Sequence, residues 1–275
     1  MSMKPQWKRF LMRRSRCLHT LTILGALLVS VLLGTLIGPL QLLQAAFIEG
    51  EGGPDVLIGR DDDNVDNPII QPEGAVNQSL NNTDILEGKA GNDILIGLLG
   101  NDVLHGGPGG DILIGGPEGA GPPNSDIIFG DEGNDVNIWQ AGDGSDAFIG
   151  GQGRDAMVFG TMDRDTNNVP ILSDPVPGYP HGVPTANVSG QGGFCTLEPV
   201  DDPSLGYEFL VRFFVRATGN LAVTIRLAEV EQVFCTSQAG GQITFADLTQ
   251  ADPQFVVVTL EEVEKLNQTV AQIIR

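Results

Sequence analysis

The sequence predicts an all-β protein whose central part is a solenoid of short parallel strands. Three observations predict this fold: aspartates recur every nine residues, a glycine-rich turn precedes each of them, and a short apolar run follows. Glycine is abundant at 37 residues but has no three-residue period, which excludes a collagen-like triple helix. The length of 275 residues suits one or two domains.

The nine-residue period is clearest in residues 88–96, which read Gly-Lys-Ala-Gly-Asn-Asp-Ile-Leu-Ile. Nine copies of unequal quality lie between residues 50 and 158. The aspartate stands at position six of each copy. Eight of these aspartates fall into three series with nine-residue spacing: Asp84, Asp93, Asp102 and Asp111; Asp126 and Asp135; Asp146 and Asp155.

Each copy is expected to form one turn and one strand. Positions one to six are rich in Gly, Asn and Asp, which tolerate tight turns. Positions seven to nine are mostly Val, Ile, Leu or Phe, which favour strands. Two copies would form one coil with a strand on each side, so the stack is a parallel β-roll. Its interior is predicted to contain the residues at position eight: Leu57, Leu86, Leu95, Leu104, Leu113, Ile128, Phe148 and Met157.

Stacked coils would bring the aspartates of alternate turns together. Neighbouring ionised carboxylates repel each other, and a cation between them removes that penalty. Calcium prefers carboxylate and carbonyl oxygens, and glycine leaves the carbonyls of these turns free to face an ion. The net charge of −20 favours a cation and excludes nucleic acid as a partner. Turns in which the aspartates only bond to the backbone, without metal, are the alternative.

The repeat resembles the RTX, or haemolysin-type, calcium-binding nonapeptide Gly-Gly-x-Gly-x-Asp-x-(apolar)-x over about residues 50–160. The resemblance implies that several Ca²⁺ ions bind, each shared by the position-six aspartates of one repeat and of the repeat two further on. The pairs would be Asp84 with Asp102, Asp93 with Asp111, Asp126 with Asp146, and Asp135 with Asp155. The predicted metal-binding residues are these eight aspartates together with Gly88, Gly97, Gly106 and Gly109.

Insertions interrupt the repeats at residues 115–120 and 139–140, and residues 60–80 are irregular. We therefore expect the most regular sites within residues 88–114 and the least regular ones across 115–123. Asp55 is expected to lie outside the stack because the irregular stretch separates it from the next copy.

The amino-terminal segment has the layout of an export signal. Residues 1–16 are basic, residues 21–43 form an uncharged apolar run, and Ala45-Ala46 offers a cleavage site. An apolar helix is predicted here, acting either as a cleaved signal or as an uncleaved anchor that would be the only membrane contact. Both place the remaining chain outside the cytoplasm. With the resemblance, this predicts a bacterial protein that is secreted or held at the cell surface.

Four regions are predicted: the signal or anchor in 1–46, the β-roll in 47–160, a linker in 161–193 and a small β-rich unit in 194–275. The carboxy-terminal unit would cover the open end of the roll, or recognise a cell-surface glycan or protein. Cys195 and Cys235 are predicted to form a disulfide, with two free thiols as the alternative.

The sequence predicts no enzyme. It contains neither His-Glu-x-x-His nor Gly-x-Ser-x-Gly, and its three histidines are His19, His105 and His181. The alternative is a secreted hydrolase whose repeats aid folding. It would need residues after 160, with His181 grouped with carboxylates in a cleft.

Overall fold

A computed structural model describes residues 46–59, 84–117 and 125–275. The predicted amino-terminal helix and most of the predicted export segment lie outside the described residues. Within the described part, no helix has the length and apolar character needed to cross a membrane.

Two eight-stranded sheets form the body of the fold. The first contains β1 (Ala46–Glu49), β3 (Asp84–Glu87), β5 (Val103–Pro108), β7 (Ile127–Gly133), β9 (Ala147–Gly153), β15 (Asn220–Ala228), β14 (Phe209–Val215) and β13 (Gly193–Pro199), in that spatial order. The second contains β2 (Val56–Ile58), β4 (Ile94–Ile96), β6 (Ile112–Ile114), β8 (Val136–Trp139), β10 (Ala156–Phe159), β16 (Gln232–Thr236), β17 (Ile243–Asp247) and β18 (Val256–Val258).

The smaller elements follow the repeats or end the chain. Strands β11 (Thr161–Met162) and β12 (Ala186–Asn187) form a short antiparallel pair. A 3-10 turn covers Pro203–Leu205, and two helices, α1 (Leu260–Leu266) and α2 (Gln268–Ile273), lie near the carboxy terminus.

Successive repeat strands alternate between the two sheets and pair in parallel. Leu86 stands opposite Leu104 in the first sheet, and Leu95 stands opposite Leu113 in the second. This is the all-β parallel roll that the nine-residue period predicts. Seven of the position-eight residues are buried in the core between the sheets: Leu86, Leu95, Leu104, Leu113, Ile128, Phe148 and Met157. Leu57, in the outermost described strand of the second sheet, is half-buried.

The outer face of the second sheet is buried. On the second sheet, Ile94, Ile96, Ile112 and Ile114 belong to a second buried core. Residues 161–193 and the two helices cover it, supplying the side chains Tyr179, Val183, Val188, Val263, Val270 and Ile273. The stretch expected to be a linker therefore packs on the roll, because its scattered apolar residues bury the outward side of these strands.

The carboxy-terminal strands continue both sheets at the end of the roll. Strand β15 pairs in parallel with β9, and β16 pairs in parallel with β10. In the structure Cys195 of β13 and Cys235 of β16 form a disulfide, which links the two sheets covalently. The described residues thus belong to one compact unit.

Candidate metal-binding edges

The turns of the roll stack along two edges. On the uninterrupted edge, the turns 50–55, 88–93, 106–111, 130–135 and 150–155 each have six residues and lead into the second sheet. On the interrupted edge, the turns lead into the first sheet and end at Asp84, Asp102, Asp126 and Asp146. The sequence insertions all fall on the interrupted edge.

A ladder of hydrogen bonds joins the aspartates of the uninterrupted edge. The backbone N–H of Asp55 donates to Oδ1 of Asp93 at 2.7 Å, and Asp93 N–H donates to Asp111 Oδ1 at 2.8 Å. Asp111 N–H donates to Asp135 Oδ1 at 2.7 Å, and Asp135 N–H to Asp155 Oδ1 at 2.8 Å. Each carboxylate is therefore held by the turn stacked before it.

The interrupted edge carries the same kind of ladder. Asp84 N–H donates to Asp102 Oδ1 at 2.8 Å, Asp102 N–H to Asp126 Oδ1 at 2.7 Å, and Asp126 N–H to Asp146 Oδ1 at 3.0 Å. All four predicted aspartate pairs are neighbours in these ladders. Two further neighbouring pairs span the insertion at 115–120 and were not predicted: Asp102 with Asp126, and Asp111 with Asp135.

All eight predicted aspartates are buried, with no more than 3% of any of them exposed. On the uninterrupted edge, the oxygen Oδ2 of four of them has no hydrogen-bond partner among the described residues: Asp93, Asp111, Asp135 and Asp155. Burying an ionised carboxylate without a counter-charge costs roughly several kcal/mol. A cation bound at these oxygens would remove that cost, so the residues fit a divalent metal.

The electrostatics of the uninterrupted edge also favour a bound cation. Loss of water around the buried carboxylates raises the pKa of Asp111 to about 8 and the pKa of Asp135 to about 9. The hydrogen bond from the preceding turn lowers each pKa in part, and the neighbouring aspartates raise it again. Burial likewise raises the pKa of Asp93 to about 6 and that of Asp155 to about 7. In metal-free protein at neutral pH, Asp111 and Asp135 would therefore hold protons that a cation must displace.

The glycine at position one brings a carbonyl oxygen next to each carboxylate. A Cβ atom on Gly88 would lie 2.5 Å from the carbonyl oxygen of Gly106 and 2.6 Å from Oδ2 of Asp93. A Cβ atom on Gly97 would lie 2.5 Å from both Oδ2 of Asp102 and the carbonyl oxygen of Gly115. Only glycine fits there, and the converging oxygens are of the kinds that calcium prefers.

Gly109 has a packing role that was not predicted, and its role as a metal-binding residue stays a prediction. A Cβ atom on it would collide with the carbonyl oxygen of Gly91 in the turn stacked next to it, so this glycine permits close stacking of the turns. Gly106, by contrast, resembles Gly88 and Gly97, since a Cβ on it would lie 2.8 Å from the Gly130 carbonyl oxygen. In the described ranges, no three Asp, Glu, His or Cys side chains group around one point. The backbone carbonyls would supply further oxygen ligands for an ion held by the carboxylates.

Two aspartates near the ladders escaped the sequence reasoning. Asp55 was expected to be isolated, yet it donates to Asp93 as the first turn of its ladder. Asp143 is buried in the lengthened turn 139–146, where its Oδ2 accepts from the N–H of Gln140 at 2.8 Å. Burial raises the pKa of Asp143 to about 7, although Arg164 at 3.7 Å opposes the shift. The glycine-rich turn 50–55 was the available signal for Asp55. Asp143 stands at position three of its copy, which is variable in the repeat pattern, so the pattern does not mark it.

The fold and its edges define a class of protein: a parallel β-roll whose stacked acidic turns are suited to divalent cations. A comparison with protein-family models agrees, because the RTX calcium-binding nonapeptide repeat matches residues 46–65, 80–116, 124–136 and 140–160. Residues 46–160 therefore carry RTX repeats, and these repeats imply calcium binding. No curated protein matches the chain.

Proposed function

We propose that this is an exported calcium-binding protein whose roll folds when calcium binds, and that it has a structural or surface-interaction role. The observation that carries the proposal is the ladder of buried carboxylates on the uninterrupted edge, four of which leave Oδ2 without a hydrogen-bond partner in the described part of the chain. The RTX match supports calcium as the cation.

Folding and calcium binding are coupled in this proposal. Without calcium, the coils can close only if several buried carboxylates take up protons or stay ionised at high cost. With calcium, the binding free energy becomes folding free energy. Extracellular calcium modules commonly have dissociation constants of about 10⁻⁴–10⁻³ M, so such a protein would fold after leaving the calcium-poor cytoplasm.

Export is supported by three features. The basic and apolar leader has the layout of a secretory signal or a signal-anchor. The disulfide between Cys195 and Cys235 suits an oxidising compartment. Proteins with RTX repeats are typically extracellular in bacteria. We therefore place the chain outside the cytoplasm, either secreted or anchored at the cell surface.

A glycan or protein at the cell surface is the proposed partner class. The outer face of the first sheet supports this, because among the described residues it carries solvent-accessible apolar side chains rather than a packed cover. Ile127 is 44% exposed, and the rings of His105 and Phe129 stack at 4.5 Å on this face. Aromatic and apolar residues of this kind are enriched at interfaces.

The alternative of a secreted hydrolase would group His181 with carboxylates in a cleft. In the structure His181 is exposed, and its Nε2 lies 3.3 Å from the carbonyl oxygen of Pro54. The proposal therefore assigns no catalytic role to His181.

A calcium titration followed by far-UV circular dichroism tests the proposed function. We expect the purified protein to gain β signal as calcium is added to a chelated sample, with a midpoint of about 10⁻⁴–10⁻³ M. Magnesium at the same concentrations is the control and should be less effective, because it demands stricter octahedral geometry. A spectrum that does not change with calcium would contradict the proposal.

A further inference from the structure

The uninterrupted edge continues one step beyond the last repeat. The backbone N–H of Asp155 donates to Oε2 of Glu231 at 2.7 Å. This bond has the same form as the one from Asp135 N–H to Asp155 Oδ1, at 2.8 Å. Glu231 belongs to the carboxy-terminal segment and lies 76 residues further along the chain. It therefore takes the place that an aspartate takes in every earlier turn of this ladder.

A backbone carbonyl of the same segment takes the place of a repeat glycine. A Cβ on Gly130 would lie 2.5 Å from both the carbonyl oxygen of Gly150 and Oδ2 of Asp135. A Cβ on Gly150 would collide with the carbonyl oxygen of Glu229 and would lie 2.6 Å from Oδ2 of Asp155. The Glu229 carbonyl thus adjoins the Asp155 carboxylate as the Gly150 carbonyl adjoins that of Asp135.

Glu229 adopts an unusual backbone conformation to reach this position. Its φ is 53°, in the left-handed region that non-glycine residues rarely occupy. Its N–H is held by Oε2 of Glu208 at 3.1 Å, and its carbonyl accepts from Gly151 N–H at 3.2 Å. The short turn between β15 and β16 is therefore fixed by bonds on both sides.

The carboxylate of Asp155 is a separate observation that indicates a ligand. It is fully buried, and its Oδ2 has no hydrogen-bond partner among the residues that the structure describes. We propose that a calcium ion binds between Asp155 and Glu231, with the Glu229 carbonyl as a further ligand. This site rests on the proposed function, and it lies outside the nonapeptide pattern because two of its three ligands come from residues 229–231.

Such an ion would tie the carboxy-terminal strands to the roll. Glu229 directly follows β15, which pairs with β9, and Glu231 directly precedes β16, which pairs with β10. Both of these repeat strands belong to the last coil. Calcium at this site would therefore favour docking of the strands that cover the end of the roll.

Glu231→Gln is the test variant, because the glutamine can still accept the bond from Asp155 N–H but lacks the negative charge. Equilibrium dialysis with Ca²⁺ should show one ion fewer per molecule than wild type. Glu264→Gln is the matched control: it makes the same substitution at an exposed residue of α1 that is not among the proposed ligands, so its ion count should equal that of wild type.

Amide hydrogen exchange gives a second readout. In Glu231→Gln, calcium should no longer slow exchange in residues 226–234, while protection of residues 88–114 should remain. If Glu231→Gln binds as many ions as wild type and keeps the protection of 226–234, the site is overturned. A wild-type protein that binds no calcium would instead overturn the proposed function, and this site with it.

Discussion

The two edges of the roll contain the same aspartate ladder but differ in the turns that support it. Every turn of the uninterrupted edge has six residues, from 50–55 to 150–155, whereas the interrupted edge contains the long connections 59–84, 115–126 and 139–146. The ladder nevertheless continues through the interrupted edge, where Asp102 N–H reaches Asp126 Oδ1 at 2.7 Å.

An insertion therefore affects only the edge on which it falls. Alternate turns stack on opposite edges, so extra residues between Gly115 and Asp126 lengthen one turn and leave the turns before β6 and β8 in contact. Asp111 N–H accordingly meets Asp135 Oδ1 at 2.7 Å across the same insertion. One edge can then keep regular metal-binding turns while the other accepts new loops.

The largest expected effect is that of pH on the metal-free protein. The folded-state pKa of Asp111, about 8, and that of Asp135, about 9, exceed the ordinary value of 3.8. The folded state therefore holds protons that the unfolded state has lost, and its stability falls as pH rises from 4 to 9. Each group contributes up to about 1.4 kcal/mol per pH unit within its window.

We expect metal-free protein to gain β signal by circular dichroism when the pH is lowered from 8 to 5, and calcium-saturated protein to change little. Replacing both Asp111 and Asp135 with Asn should flatten the pH dependence, while Asn at the exposed Asp174 should leave it unchanged. A β signal of the metal-free protein that rises with pH would contradict the claim that these buried carboxylates hold protons in the folded state.

The next largest effect is the loss of stability when one glycine on each edge is replaced by alanine. Gly109→Ala should lower the free energy of unfolding by roughly 3 kcal/mol or more, because its Cβ would collide with the Gly91 carbonyl. Gly142, in the lengthened turn 139–146 of the interrupted edge, has φ of 114° and nothing within 4 Å of its would-be Cβ. Gly142→Ala should therefore cost only about 1–2 kcal/mol of backbone strain. Urea unfolding in saturating calcium measures the free energy of unfolding of both variants. Equal losses of stability would mean that the stacking contact at Gly109 is unimportant.

The smallest effect concerns a single carboxylate on each edge. Asp111→Asn keeps an acceptor for the Asp93 N–H but removes the charge, so it should weaken calcium binding about tenfold, or 1.4 kcal/mol. Asp102→Asn should weaken it less, because the turn stacked on it contains the insertion. Calorimetric titration of both variants measures the difference. A larger loss for Asp102→Asn would reverse the ranking of the two edges.

The repeat core could be predicted from the sequence because its period is local. Leu95 and Leu113 occupy the same position of copies 18 residues apart, so a fixed spacing predicts that they stack. Asp93 and Asp111 follow the same rule. By contrast, Asp102 and Asp126 are 24 residues apart, and spacing alone cannot show that the extra residues leave the ladder intact.

The cover of the roll could not be predicted for a different reason. The residues that bury the second sheet, such as Tyr179 and Val183, occur in a Pro/Gly-rich stretch without strand or helix periodicity. Trp139 was treated as an inserted residue, yet it is buried in the inner core against Phe159 and Phe213. These contacts depend on tertiary packing, for which the sequence carries no repeating signal.

The central claim is that cations bind between stacked aspartates of the uninterrupted edge, and a crystal structure of calcium-saturated protein with anomalous scattering tests it most directly. We predict anomalous peaks between successive turns at Asp93, Asp111, Asp135 and Asp155, within about 2.3–2.6 Å of carboxylate and carbonyl oxygens. A fully formed roll in saturating calcium, with these carboxylates turned to water and no peak between them, would contradict the account.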